Sequence, residues 1–102
     1  MKLVIVGYGR VGARTADILS SEGHDVVIVE SEEPKARTAE ESGHEVVVGD
    51  GEDERVLDEV GLDDTDALAA LTGDLNVNFT ACMVANDHDC RTVLRIDEDY
   101  RE

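Results

Sequence analysis

The sequence contains few aromatic residues, lysines, prolines and cysteines. It has no tryptophan, two tyrosines and one phenylalanine, and Pro34 is its single proline. Lys2 and Lys35 are its two lysines. The two cysteines, Cys82 and Cys90, do not predict a disulfide framework, and without a nearby His–Cys cluster they predict no metal site. No apolar run reaches the length of a membrane span, and the chain begins with a strand pattern rather than a signal peptide.

Acidic residues dominate the charge. Asp and Glu number 25 against 9 Lys and Arg, for a net charge of -16. The acids are dispersed along the chain as a coat, which argues against binding to nucleic acid or to an anionic membrane surface. A lysine-poor acidic surface resembles proteins of salt-loving organisms, because molar salt shortens the screening length to about 3 Å and weakens self-repulsion. We therefore expect a halophilic protein.

A glycine-rich loop follows the first apolar segment. Residues 3–6 read as a buried strand and run into a G-x-G-x-x-G pattern formed by Gly7, Gly9 and Gly12, after which a helical period begins. In such a turn Gly7 permits the tight bend, Gly9 lets a pyrophosphate approach the backbone, and Gly12 lets the helix pack on the strand. The N–H groups at the helix start favour an anion.

An acid ends the second apolar segment. Residues 26–29 predict a buried strand, and Glu30 follows it. A dinucleotide site places there the carboxylate that accepts hydrogen bonds from the adenosine ribose hydroxyls. A surface turn with a solvated glutamate is the alternative. The pattern indicates a class of ligand and not a reaction.

Strand and helix patterns alternate along the chain and predict one α/β domain over residues 1–102. The sheet is predicted to be a Rossmann-type doubly wound parallel sheet of about five strands, in the order 3-2-1-4-5. The predicted elements are strand 2–6, helix 10–22, strand 25–29, helix 32–42, strand 45–48, helix 52–60, strand 66–71, helix 74–87 and strand 91–96.

Two further loops are predicted at the carboxyl edge of the sheet. Asp50, between Gly49 and Gly51, is expected beside the adenine or in a turn, and both roles stay open. Thr72 and Gly73 are expected near the phosphates or the distal nucleoside. Asp74 reads more simply as a helix N-cap.

The predicted helix 74–87 carries two apolar stripes, where a surface helix needs one. Leu75, Phe79, Cys82 and Met83 form the first, and Val77, Ala81 and Val84 form the second. We expect the second stripe to contact another protein surface. Strand 91–96 is predicted to be a sheet edge, and an unpaired edge recruits a partner. A homo-oligomer that strengthens at high salt is therefore expected.

Catalysis is not indicated by the sequence. His24 and His44 read as strand-entry residues, and His88 lies in a polar loop. Neither Tyr8 nor Tyr100 belongs to a Tyr-x-x-x-Lys pair. The alternative function is the cofactor-binding half of an NAD-dependent dehydrogenase, which would need a general acid or base beside the transferred group. A structural module that has lost its ligand is a third reading, against which the glycine loop and Glu30 count.

Three strings carry a family resemblance: Val-Ile-Val-Gly-Tyr-Gly-Arg-Val-Gly, Gly-His-Asp-Val-Val-Ile-Val-Glu and Gly-Asp-Gly-Glu-Asp-Glu-Arg-Val-Leu-Asp-Glu-Val-Gly. The chain resembles a TrkA N-terminal domain, also called a KTN domain or RCK N-lobe. The resemblance implies a cytoplasmic domain without catalytic residues, peripheral to a membrane potassium transporter or channel subunit. It implies binding of NAD(H) or ATP/ADP, and regulation of transport by occupancy. Domains of this family usually add a sixth strand, which we do not expect in residues 1–102.

The resemblance also implies a role for each site residue. Gly7, Gly9, Arg10 and Gly12 would hold the phosphates, although a solvated Arg10 is an equal alternative. Glu30 would bind the ribose and Asp50 would lie beside the adenine. The full predicted site comprises Gly7, Tyr8, Gly9, Arg10, Val11, Gly12, Glu30, Ser31, Gly49, Asp50, Gly51, Thr72 and Gly73.

Overall fold

The computed structural model describes residues 1–96 and consists of one parallel sheet with helices on both faces. The strands are β1 (Lys2–Val6), β2 (Asp25–Glu30), β3 (Glu45–Val48), β4 (Ala67–Ala70) and β5 (Arg91–Leu94). The helices are α1 (Arg10–Ser21), α2 (Glu33–Glu41), α3 (Glu54–Glu59) and α4 (Leu75–Asp87), with one 3-10 turn at Leu62–Asp64. None of the helices in this part of the chain is long and apolar enough to cross a membrane.

The strand order is β3-β2-β1-β4-β5, and every pairing is parallel. The fold class and strand order predicted from the sequence are therefore confirmed. The chain adds β2 and then β3 on one side of β1, and it then crosses over to add β4 and β5 on the other side. The strand order therefore reverses between β1 and β4, which lie side by side. Loops that follow β1 and β4 meet at this point, which is where open α/β sheets bind their ligands.

The two faces of the sheet bury separate clusters. Val4 and Val6 of β1 pack in a cluster that includes Leu57 of α3 and Ala81 of α4. Ile5 points to the opposite face and packs in a cluster with Ala16 of α1. This alternation explains the continuous apolar runs, because a parallel strand covered on both faces needs apolar residues at every position.

Several predicted boundaries are shortened in the structure. Helix 52–60 is reduced to α3, because Asp53 accepts a hydrogen bond from the backbone N–H of Arg55 and so caps the helix one residue before Glu54. The predicted strand 91–96 is paired with β4 only from Arg91 to Leu94. Asp74 is the N-cap of α4, as predicted, and accepts from the N–H groups of Asn76 and Val77.

The orientation predicted for α4 is wrong. Ala81 is fully buried, and Val77 and Val84 pack against the core, so the second stripe faces the sheet instead of a partner. Of the stripe that was expected to face the core, Phe79 is 47% exposed and Met83 is 67% exposed. Both stripes are apolar, so periodicity alone could not decide which one faces inward.

Candidate nucleotide-binding site

A cleft of about 530 Å³ opens at the carboxyl edge of the sheet. It lies where the loops after β1, β2, β3 and β4 converge. Nine of the residues predicted for the site line it: Gly7, Gly9, Glu30, Ser31, Gly49, Asp50, Gly51, Thr72 and Gly73. The topology thus brings together, from four separate loops, most of the residues that the sequence singled out.

The three glycines of the first loop occupy different environments. Gly7 has φ +103°, which L side chains rarely adopt, and it packs against Thr72. A Cβ on Gly12 would lie 1.9 Å from the carbonyl oxygen of Gly7, so α1 could not approach the loop with any larger residue. A Cβ on Gly9 would meet nothing within 4 Å, and Gly9 lines the cleft. The loop therefore leaves space for a ligand at Gly9 alone.

The first turn of α1 supplies hydrogen-bond donors beside this space. Gly9 is the N-cap and contributes no side chain to the first turn. The first N–H groups of an α-helix have no partner within the helix. Together with the positive end of the helix dipole, they suit a phosphate group lying over Gly9.

Glu30 is a buried acid at the end of β2. Its Oε1 accepts a hydrogen bond from the backbone N–H of Tyr8 at 2.6 Å, and its Oε2 accepts one from the N–H of Glu32 at 2.9 Å. Each carboxylate oxygen has a second lone pair that can accept a hydrogen bond from a ribose hydroxyl. These two bonds also give Glu30 a structural role, because the carboxylate joins the glycine loop to the loop after β2.

The loop after β3 forms a closed turn at the cleft. Asp50 Oδ1 accepts from the backbone N–H of Glu52 at 2.8 Å, which is the turn role left open above. Gly49 packs on Val56, and a Cβ on Gly51 would lie 2.6 Å from a methyl group of Val6. The two glycines therefore let this loop approach β1 and α3 closely, and Asp50 still lines the cleft.

The loop after β4 is fastened by Asn78, a residue that the sequence analysis missed. Asn78 is 1% exposed. Its Oδ1 accepts from the Thr72 N–H at 3.1 Å and lies 2.7 Å from the Thr72 hydroxyl. Its Nδ2 donates to the carbonyl groups of Thr72 and Arg95 at 3.0 and 3.1 Å. A polar residue among the inward positions of an apolar helix was the signal that could have identified it.

A smaller cavity is lined by residues of the glycine loop, α1 and α2. Tyr8, Gly9 and Arg10 line it, and Gly9 also lines the main cleft. The ring of His44 packs edge-on against the ring of Tyr8, with 5.7 Å between the ring centroids, and His44 Nε2 lies 2.8 Å from Asp17 Oδ1. His44 therefore connects the Tyr8 ring to α1. Val11 and Gly12 are not among the residues lining either cavity, and Val11 is 39% exposed.

The main cleft is acidic. Its lining includes five carboxylates, from Glu30, Glu32, Asp50, Glu52 and Asp74, and two cations, from Lys35 and Arg95. Lys35 Nζ lies 3.1 Å from Glu32 Oε2. The backbone N–H groups at the start of α1 are thus the groups beside this cleft that best suit an anion.

No reactive thiol or metal cluster lies near the cleft in the described part of the chain. Burial raises the pKa of the Cys82 and Cys90 thiols, which keeps both protonated at neutral pH. Residues 1–96 contain no group of three or more His, Cys, Asp or Glu residues that could hold a metal ion. The convergence of four loops on one cleft is an arrangement that can bind a ligand.

Sequence comparison finds a family match over nearly the whole chain. The model of the TrkA-N domain matches residues 3–102. A Trk system potassium uptake protein TrkA homolog of Pyrococcus abyssi is 40% identical over 101 residues, covering 96% of this chain and 44% of that protein. The chain therefore spans less than half the length of this curated relative.

Two solved structures share the fold. The NAD(P)-binding domain of an exopolyphosphatase-related protein from Archaeoglobus fulgidus has a TM-score of 0.83 at 20% identity, covering 94% of this chain and 73% of that one. The AMP-bound Kef CTD of Shewanella denitrificans has a TM-score of 0.75 at 20% identity, covering 92% of this chain and 56% of that one.

Proposed function

The chain belongs to the TrkA-N domain family, and from this membership we propose that it is a regulatory domain that binds a nucleotide and controls a potassium transporter. One observation carries the proposal. A single cleft lies at the point where the strand order reverses. It is lined by Gly9, by Glu30 and by the loops that contain Asp50 and Thr72, and the position of Gly9 leaves open space for a ligand. This is the arrangement that an adenosine ribose and its phosphates require.

The ligand is an adenine nucleotide with an unmodified ribose, either NAD(H) or ATP/ADP. A 2′-phosphate would lie against the Glu30 carboxylate, which repels it and cannot donate a hydrogen bond to it. Between the two, the acidity of the cleft favours NAD(H), because five carboxylates oppose the additional negative charges of ATP.

Isothermal titration of the 102-residue chain with NAD, NADH, ADP, ATP and NADP tests the ligand. We expect NAD or NADH to bind, and NADP to bind at least about tenfold more weakly. The same titration at increasing concentrations of potassium chloride should raise the affinity for ATP more than the affinity for NAD. The reason is that salt screens the repulsion between the carboxylates of the cleft and the phosphates. The absence of binding by every nucleotide would contradict the proposal, and equal affinity for NADP would contradict the role of Glu30.

The regulatory part of the proposal rests on the family membership. The TrkA homolog of Pyrococcus abyssi is named as a potassium uptake protein. We therefore place this domain in the cytoplasm, in contact with a membrane potassium-transport subunit. The alternative function is the cofactor-binding half of an NAD-dependent dehydrogenase. Enzymes also use this fold, and in such an enzyme a separate substrate domain would supply the catalytic groups.

The proposed control of potassium transport can be tested by measuring potassium uptake in cells of the source organism. Gly9→Val, introduced at the native locus, should alter rubidium uptake while the protein level stays constant. A matched change outside the cleft, Ile18→Ala on the exposed face of α1, should leave uptake unchanged. Unchanged uptake in the Gly9→Val strain, in a protein shown to have lost nucleotide binding, would contradict control of transport.

A further inference from the structure

His24 and His44 occupy matching positions at the entrances of two neighbouring strands. Each follows a glycine in the left-handed region, with φ of +92° and +93°, and each stands directly before its strand, β2 or β3. In both places the histidine N–H donates to the carbonyl oxygen five residues earlier, at 3.2 Å for His24 and 3.1 Å for His44. Backbone bonds therefore form both entrances, and neither entrance needs an imidazole.

The two imidazoles differ in their contacts. His24 Nδ1 lies 3.4 Å from the amino group of Met1. The His44 ring packs edge-on against the ring of Tyr8, and the His44 side chain is 5% exposed. His44 Nε2 lies 2.8 Å from Asp17 Oδ1, and the Tyr8 hydroxyl lies 3.5 Å from the same oxygen. Because an ionised carboxylate only accepts hydrogen bonds, Nε2 is the donor, and the bond to Asp17 orients the imidazole.

Tyr8 belongs to the glycine loop, but its side chain packs away from the main cleft. Gly7 and Gly9 on either side of it line that cleft, whereas Tyr8 does not. Tyr8 is buried in the apolar cluster that includes residues of α1 and α2. Its backbone N–H donates to Glu30, and its ring contacts His44. The backbone between the two glycines is therefore restrained through both the main chain and the side chain of Tyr8.

We propose that His44, oriented by Asp17, is a positioning residue for the nucleotide: it restrains Tyr8 and so holds the glycine loop in the conformation that binds the phosphates. This inference rests on the proposed function, because it concerns the same ligand. A side chain that favours the binding conformation raises the apparent affinity in proportion to the fraction of molecules that adopt it. The coupling is reciprocal, so the bound nucleotide in turn alters the surroundings of His44. His44 lines neither of the two cavities, so this change reaches it through Tyr8.

Titration calorimetry of the 102-residue chain with NAD tests the effect on affinity. His44→Ala should weaken NAD binding by about fivefold or more, measured where urea denaturation shows the variant to be fully folded. His24→Ala is the matched control, because it removes the same ring from the equivalent strand entrance, where the ring contacts Met1 and not Tyr8. It should leave the affinity unchanged. Equal affinity for NAD in the wild type and in His44→Ala overturns this inference and leaves the proposed function intact.

NMR of the histidine rings in the isotope-labelled wild-type chain tests the reciprocal effect without any substitution. The chain has three histidines, so each ring can be followed separately. Saturating NAD should shift the ring protons of His44 and leave those of His24 and His88 unchanged. NAD that binds without shifting His44 overturns the inference, whether or not His44→Ala folds, because a merely structural histidine would affect stability alone. A wild-type chain that binds none of the nucleotides titrated above contradicts the proposed function, and this inference with it.

Discussion

The Oε1 atom of Glu30 lies 2.6 Å from the backbone nitrogen of Tyr8, so the end of β2 holds the glycine loop of β1. The second oxygen of the same carboxylate accepts from the N–H of Glu32. One side chain thus joins the two loops between which we propose that an adenosine binds. In that proposal Glu30 would hold the site in shape before the ligand enters, in addition to accepting hydrogen bonds from the ribose.

Replacing this acid should therefore affect stability as well as binding. Glu30→Ala removes the acceptor of two N–H groups in a buried site, which we expect to lower the free energy of unfolding by about 2 kcal/mol. The binding free energy for NAD should separately become less favourable by roughly 1–3 kcal/mol, because the hydrogen bonds to the ribose are lost. Urea denaturation and titration calorimetry measure the two effects separately. Wild-type stability in this variant would contradict the holding role of Glu30.

Two glycines of the same loop should respond in opposite ways. Gly9→Val fills open space where we place the pyrophosphate, so binding should be lost while the fold persists. Gly12→Ala forces a Cβ against the carbonyl oxygen of Gly7, so it should destabilise the fold even though alanine is smaller than valine. Circular dichroism and thermal unfolding, with NAD titration, compare the pair. Retained binding in Gly9→Val would place the phosphates elsewhere.

The sequence was sufficient to predict the parallel sheet, but it was not sufficient to predict which side of α4 faces the core. Continuous apolar runs before Gly7 and Glu30 predict buried parallel strands, because a strand covered on both faces has no polar positions. In α4 the apolar residues surround most of the helix, so periodicity does not determine its orientation. Asn78 faces inward because four polar contacts satisfy its amide, and these contacts depend on loops that only the fold brings together. The link between Glu30 and Tyr8 is long-range for the same reason.

A pH-dependent contribution to stability should come from His88. The hydrogen bond to Asp63 raises the pKa of this histidine above its ordinary value of 6.5. The stabilisation is therefore complete below about pH 6.5 and is lost as the pH rises through the higher pKa of the folded state. Titration of the His88 ring protons by NMR should give a value above 6.5, and Asp63→Asn should lower it. Because the pair is exposed, the effect on unfolding should be small. An unshifted His88 in the wild type would contradict the ion pair.

The last prediction concerns Asn78, which connects the Thr72 loop to the end of β5. Asn78→Ala leaves the Thr72 N–H and two carbonyl groups without this partner in a nearly buried site, so we expect a loss of about 3 kcal/mol in the free energy of unfolding. Asn76→Ala, two residues away on the exposed side of α4, is the matched control and should change stability by less than about 0.5 kcal/mol. Asn78→Asp separates the bonds, because a carboxylate still accepts from Thr72 but cannot donate to the carbonyl groups of Thr72 and Arg95. Because Thr72 lines the cleft and Asn78 holds its loop, we expect NAD to bind Asn78→Asp more weakly under conditions where the variant is fully folded. Full NAD affinity in the folded Asn78→Asp protein would show that the amide serves the fold alone.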